Sequence, residues 1–268
     1  MELSHIDTHL VDHCNLNCKG CGHFAPLAEK YFADINVFRK DFLRLRQLSI
    51  NIKVICLMGG EPLLHPELLS FLELTRSIFN DSQIWLMTNG TLLLGQSDTF
   101  WETCSANNII IHIPRYPIQL GVAKIQKTAQ KYHVEIDLNR TMIHFLKIIN
   151  MEGSSNSTKS FQHCRSKLKC YFLRDGKIYL CALPANLHIF NKYFQRNIPV
   201  TEADSINIHD NVSGTDIVNF LESPKPICSF CLVKWPAFKW GISKKRQSEW
   251  TLTLYNKFVH KLNLKRFF

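Results

Sequence analysis

The chain has 268 residues, 46% of them hydrophobic and 20% charged, with a formal net charge of +10. Its length allows one main hydrophobic core with a smaller appended module, and no apolar run approaches the roughly 18 to 20 residues of a spanning helix, which excludes a transmembrane segment of that kind. The start, Met1-Glu2-Leu3-Ser4-His5, has neither a basic leader nor an apolar signal core, so the expected location is cytoplasmic and the ten cysteines are not read as disulfides; eight fall in groups that suggest metal, while Cys56 and Cys104 stand alone in apolar or helical surroundings.

From Leu3 to about residue 138, short β-type runs alternate with helix-length amphipathic stretches, a βα repeat. Strands are predicted at Ile6–Val11, Lys53–Met58, Gln83–Met87, Asn108–Ile113 and Val134–Asp137, with helices near Asp34–Ser49, Pro66–Phe79, Asp98–Ala106 and Ile118–Tyr132. Asp34 or Asn36, Pro66 and Ser97/Asp98 supply helix-entry signals. Strands joined by single helices run parallel with right-handed crossovers, so the loops after them gather on one rim, where ligands bind. A sixth strand is expected around Met142–Ile149, then a polar linker or lid over Asn150–Ser160. Beyond it come a hairpin, Tyr171–Leu173 and Lys177–Leu180 around Asp175-Gly176, and helices near Asn186–Phe194 and Gly214–Leu221. The sequence thus divides into a core over residues 1–150, a small cysteine-bearing module over 151–243 and a basic aromatic tail over 244–268, expected to be helical. Much of the excess positive charge lies in that tail, which makes a peripheral membrane contact or another anionic partner an alternative to a solvated helix.

Four motifs lie at or after strand ends. Cys14-Asn15-Leu16-Asn17-Cys18-Lys19-Gly20-Cys21 brings three thiolates into eight residues. Three thiolates leave one iron of a 4Fe–4S cubane open to a further ligand; a zinc site with His13 or His23 as fourth ligand is the alternative. Gly59-Gly60-Glu61-Pro62 follows the second strand, where small glycines permit close backbone approach and a carboxylate suits an ammonium group. Thr88-Asn89-Gly90 ends the third, and His112-Ile113-Pro114-Arg115-Tyr116-Pro117 follows the fourth.

These residues resemble the radical S-adenosylmethionine (SAM) superfamily. The resemblance implies an α/β fold, a partial (βα)6-type barrel with a small C-terminal twitch-like module, in which Cys14, Cys18 and Cys21 hold a SAM-binding 4Fe–4S cluster. It also implies that Gly59, Gly60, Glu61 and Pro62 receive the methionine amino group and that Thr88 and Asn89 face the SAM ribose or carboxylate, while Arg115 is placed to reach the SAM carboxylate or an anionic substrate. The residue before the third cysteine is usually aromatic in the family and borders the adenine; here it is Gly20, with Phe24 as the residue expected to compensate.

Cys164, eleven residues, Gly176, four residues and Cys181 resemble the first half of the SPASM/twitch auxiliary-cluster pattern, which Cys228-Ser229-Phe230-Cys231 completes. A second 4Fe–4S cluster is then held by Cys164, Cys181, Cys228 and Cys231, with Cys170 an alternate ligand or buried thiol; a zinc ribbon is the alternative. The layout is similar to radical SAM dehydrogenases that oxidise an aminocyclitol alcohol. It points to oxidation of a small polyhydroxylated substrate, neutral or anionic, such as a sugar, aminocyclitol or nucleotide-sugar, with a flavodoxin- or ferredoxin-type reductant. His23, His112 and Tyr116 are the candidate bases. A peptide-modifying enzyme, an RNA-modifying enzyme and a non-catalytic zinc or iron–sulfur protein are the rivals, nucleic acid being disfavoured because no RNA-binding module is visible.

Overall fold

The computed structural model describes residues 2–167 and 171–252. Cys170 and the part of the basic tail beyond residue 252 lie outside the described residues.

Among the described residues, ten of the twelve strands and seven α-helices position the site. β1 (Ile6–Val11), β2 (Val54–Gly59), β3 (Gln83–Met87), β4 (Ile109–His112) and β5 (Glu135–Asp137) alternate with α1 (Ile35–Gln47), α2 (Leu68–Ile78), α3 (Asp98–Ala106) and α4 (Val122–Lys131). Later come β6 (His144–Leu146), α5 (Ser157–Lys167), β7 (Tyr171–Arg174), β8 (Lys177–Tyr179), α6 (Ala182–Phe194), β9 (Ser205–Asn207), α7 (Gly214–Leu221) and β10 (Ala237–Lys239). The helices start where the sequence supplies acceptors: Asp34 takes the Asn36 and Val37 backbone N–H groups, and Ser97 takes that of Phe100. α1 then turns Phe38, Phe42 and Leu45 toward the sheet at helical spacing, with Phe38 stacked on Phe42 and edge-on to Phe71 of α2.

The main sheet has the order β9-β8-β7-β1-β2-β3-β4-β5, with β1 to β5 parallel in succession. Ile6, Leu10, Ile55, Leu57, Ile84, Leu86, Ile109 and Ile111 form the main core with the helices. Because side chains alternate along a strand, Asp7, His9, Cys56, Trp85 and His112 occupy the other face. This is the expected α/β partial barrel, with two corrections.

The first concerns the sixth strand. The apolar stretch Met142–Ile149 yields β6, which leaves the main sheet and pairs antiparallel with β10. The sixth parallel strand is instead β7, the first arm of the predicted hairpin, which adds to the free edge of β1. The sheet therefore runs unbroken from residues before 150 to residues after it. The second concerns the expected linker: Ser157 already opens α5. The described start of the tail, residues 244–252, holds only a single 3-10 turn, Gln247–Glu249, and folds back onto the cysteine loop.

A second core joins that loop to the late module: Phe24, Leu27, Ile149, Leu183, Leu187, Phe190, Ile227 and Trp250. Among the described residues no helix is long and apolar enough to cross a membrane.

Candidate metal and cofactor site

The cysteine loop leaves β1 at Val11 and is held from three sides. From β2, the Gly60 and Glu61 N–H groups donate to the Val11 and His13 carbonyls at 2.7 and 3.1 Å. A Cβ on Gly59 would lie 2.1 Å from the Val11 carbonyl oxygen, and one on Gly60 2.1 Å from that of His13. The two glycines thus let two backbones touch immediately before Cys14. Glu61 is fully buried. Its Oε1 accepts from the Leu63 N–H and the Thr88 hydroxyl and its Oε2 from the Asn89 N–H, at 3.1, 2.6 and 2.9 Å. Burial pushes its pKa up to about 7 against the pull of those donors. The sequence reading gives the Glu61 carboxylate to an ammonium ligand; the structure turns it inward, where it locks the β2 loop to the β3 loop. Pro62 and Thr88 are buried with it.

Asn89 reaches the cysteine loop directly. Its Nδ2 donates to Asn15 Oδ1 at 2.8 Å and lies 3.7 Å from Cys14 Sγ, while Asn15 donates to the Thr91 hydroxyl at 2.7 Å. Arg115 is exposed and bonded to the Thr141 hydroxyl at 3.1 Å. Tyr116 belongs with the cysteines: burial, then the charges of Cys18, Cys21 and Cys14, raise its phenol above the ordinary range, so it stays protonated and can donate.

The three thiols share one environment. Burial lifts Cys14 to about 12 and Cys18 to about 11, and raises Cys21, while the neighbouring sulfurs add repulsion at Cys14 and Cys18. Three clustered thiols that resist ionising together fit a cationic metal centre, whose charge offsets both burial and mutual repulsion.

Two aromatic expectations change. Phe24 is completely buried, stacked into the second core 5.5 Å from Phe190 and 6.3 Å from Trp250, and is closed to an adenine. Gly20 has φ +63°, and a Cβ there would lie 2.3 Å from Phe238 Cζ and 2.8 Å from the Glu249 carbonyl oxygen. An aromatic residue at 20 is excluded by the returning chain.

His23 ends a buried relay. Its Nδ1 lies 2.9 Å from His9 Nε2, His9 Nδ1 lies 2.9 Å from Asp12 Oδ1, and Arg174 on β7 binds both Asp12 oxygens at 2.9 and 2.7 Å. If His9 gives its Nδ1 proton to Asp12, its Nε2 accepts from His23 Nδ1, leaving His23 Nε2 as an acceptor. Burial, with His9 and Arg140, pushes His23 down to about 3, so the ring is neutral. His112 is placed differently: its Nδ1 is 2.9 Å from Asp137, its ring packs at a tilt on Trp85 at 4.0 Å, and its Nε2 is buried with no hydrogen-bond partner among the described residues. Sequence reasoning missed His9, Asp12, Arg140 and Arg174. The visible signal was the polar run Asp7, His9 and Asp12 in and just after an otherwise apolar strand.

In the late module, Cys228 and Cys231 bracket the end of a 3-10 helix, Cys181 caps α6, and Cys164 lies on α5. Burial, then Cys228 and Cys164, raise Cys231, so these three share one neighbourhood, and Cys181 and Cys231 both border the second core.

The family described as a 4Fe-4S single cluster domain matches residues 6–113, from β1 to just past β4. Over 105 residues the chain is 30% identical to the GTP 3',8-cyclase of Microcystis aeruginosa (strain NIES-843 / IAM M-2473); the match takes in 38% of this chain and 32% of that protein, so the chain spans about a third of that relative's length. Among solved structures, BtrN in complex with AdoMet and 2-DOIA is similar with a TM-score of 0.51 at 15% identity, over 85% of this chain and 92% of that one. Native anSMEcpe with bound AdoMet and Cp18Cys peptide is similar over 52% of this chain and 42% of its own, with a TM-score of 0.40 at 19% identity.

Proposed function

We propose that this chain is a radical SAM enzyme, with iron–sulfur and SAM as its cofactors and an auxiliary-cluster domain beside the barrel, and that it oxidises an alcohol of a small polyhydroxylated substrate: a sugar, an aminocyclitol or a nucleotide-sugar; the 4Fe-4S family match over residues 6–113 and the fold similarity to BtrN support this reading. In this reading Cys14, Cys18 and Cys21 hold the SAM-binding 4Fe–4S cluster, and Cys164, Cys181, Cys228 and Cys231 hold an auxiliary one, residues 1–150 serving as the core and 151–243 as the auxiliary module. When bound, the first cluster and SAM supply a 5′-deoxyadenosyl radical for hydrogen abstraction, and the auxiliary cluster an acceptor for one electron.

Converting a secondary alcohol to a ketone removes a hydrogen atom from carbon, a proton from oxygen and one further electron, so it needs a base and a second electron acceptor. The observation that carries the oxidative reading is the shared neighbourhood of Cys164, Cys228 and Cys231 in a module whose strand β7 is hydrogen-bonded to the strand that launches the first cysteine loop. For the base, His23 is favoured over His112 and Tyr116: it lies two residues from Cys21, and the relay leaves its Nε2 as the acceptor. Tyr116, held protonated, is suited to donate a hydrogen bond. Arg140, whose charge acts on both His23 and Tyr116, suits an anionic or hydroxylated group beside them. BtrN was crystallised with 2-DOIA, and an aminocyclitol alcohol is the first compound to try.

The test is anaerobic reconstitution with iron and sulfide counts, then reduction by dithionite or a flavodoxin-type donor and assay for 5′-deoxyadenosine. With carbinol-deuterated polyols, deuterium is expected in the 5′-deoxyadenosine. Cys231→Ala is expected to keep SAM cleavage and lose the ketone product. Zinc in place of iron, or no cleavage under any reductant, would overturn the radical SAM assignment of these residues; cleavage without a two-electron product would overturn the oxidation alone.

A further inference from the structure

The segment after the last cysteines does not leave the molecule; it returns across the first cysteine loop. β10 pairs with β6, then the Lys19 N–H donates to the Gly241 carbonyl at 2.8 Å and the Ser243 N–H to the Asn17 carbonyl at 2.7 Å, while Asn17 Nδ2 donates back to the Ser243 carbonyl at 3.1 Å. Cys18 and Ile242 form an antiparallel bridge. Phe238 and the Glu249 carbonyl press on Gly20, and the Trp250 indole donates to the Cys21 carbonyl at 2.7 Å. Residues 237–250 therefore form a strap over positions 17–21.

Inside this strap the Trp240 indole N–H donates to Cys18 Sγ at 3.2 Å. The other donors near the three sulfurs are of other kinds: the Leu16 N–H at 3.3 Å and the Asn89 amide at a long 3.7 Å for Cys14, and backbone N–H groups of His23, Phe24 and Ala25 for Cys21. Trp240 is thus a close side-chain donor, brought from the far end of the chain and removable without touching the loop's own backbone. Donors to ligand sulfurs draw electron density from an iron–sulfur cluster and stabilise its reduced form.

We infer that Trp240 is a positioning residue that raises the reduction potential of the cluster held by Cys14, Cys18 and Cys21, and that the strap ties this setting to the auxiliary module from which it emerges. The inference rests on the proposed role of those cysteines, so its test must separate the two. The fully reconstituted enzyme, its tryptophans labelled with 15N in the indole, is reduced and the cluster signal that changes on adding SAM is selected by EPR. A 15N hyperfine coupling is expected in wild type and lost in Trp240→Phe, together with a midpoint potential shifted to more negative values at unchanged iron content. Trp250→Phe serves as the comparison, since it removes a strap N–H that meets a carbonyl rather than a sulfur; it is expected to lower thermal stability and leave the potential in place. Absence of the coupling in wild type, an unmoved potential in Trp240→Phe, or an equal shift in Trp250→Phe would overturn the inference while leaving the radical SAM reading standing. A protein that takes up no iron at all would overturn both.

Discussion

Gly20 and Gly22 flank Cys21, yet they answer to different constraints. Gly20 combines a left-handed backbone with backbone and ring atoms where its Cβ would go, whereas nothing lies within 4 Å of a Cβ at Gly22. A left-handed conformation alone costs a non-glycine residue about 1–2 kcal/mol. Gly20→Ala should therefore lower stability by at least about that much, with added loss from the contact with the Glu249 carbonyl, while Gly22→Ala should change the melting temperature little. Equal behaviour of the two variants would remove the strap from the explanation. Glu61 gives a second residue-scale expectation. Glu61→Gln keeps the size of a side chain with three donors aimed at it but turns one acceptor into a donor that meets another donor. Leaving buried groups mismatched costs about 1–3 kcal/mol, and because the affected loops bind the backbone just before Cys14 and contain Asn89, iron retained after desalting should fall as well. A variant as stable as wild type would show that the carboxylate's buried bonds do not hold these loops.

At the scale of elements, the decisive pairing is that of β7 with β1. Backbone hydrogen bonds make the pairing, and the side chains seal it: Arg174 on β7 grips both oxygens of Asp12, which follows β1, and also donates to Asn186 Oδ1 on α6 at 2.8 Å. Both ends of the ion pair are largely buried, with side-chain exposures of 11% and 5%. Removing one partner of a buried pair strands the other and costs about 3–5 kcal/mol. Arg174→Gln should show a loss of that order in denaturant unfolding, and Asp12→Asn combined with it should recover part of the loss; fully additive losses would mean the two side chains act separately. This pairing also shows what the sequence could and could not reveal. β1 and β3 fall at their predicted bounds, since apolar runs bounded by turn residues carry their own signal, and α3 does so because Ser97 caps it. The Met142–Ile149 run carries the same apolar signal, but its partner, Ala237–Lys239, lies some ninety residues on, and no local pattern names a partner so distant. The cysteine and GGEP motifs were legible because their spacing is local. The inward turn of Glu61, the burial of Phe24 and the Trp240 bond to Cys18 were not, because each depends on a segment that returns from elsewhere.

For the whole molecule, the continuous sheet and the second core argue against two independently folding halves. A division near residue 150 reads naturally from the polar, turn-rich stretch there, but cutting at that point would strip β7 from the edge of β1, remove Arg174 from Asp12, and expose Phe24 and Leu27 by deleting Leu183, Leu187, Phe190 and Trp250. It would also remove the strap from Cys18 and Cys21. The exposed edge of β1 and the uncovered apolar residues together make such a fragment prone to association. Residues 1–150 expressed alone are accordingly expected to be insoluble or to lack a cooperative thermal transition, and the full chain to unfold in one calorimetric transition rather than two. A soluble 1–150 fragment that melts cooperatively and still takes up about four irons, as one cubane requires, would show that the barrel half is self-sufficient. The β7 edge, the second core and the strap would then be later additions to a finished fold rather than parts of what makes the cysteine loop.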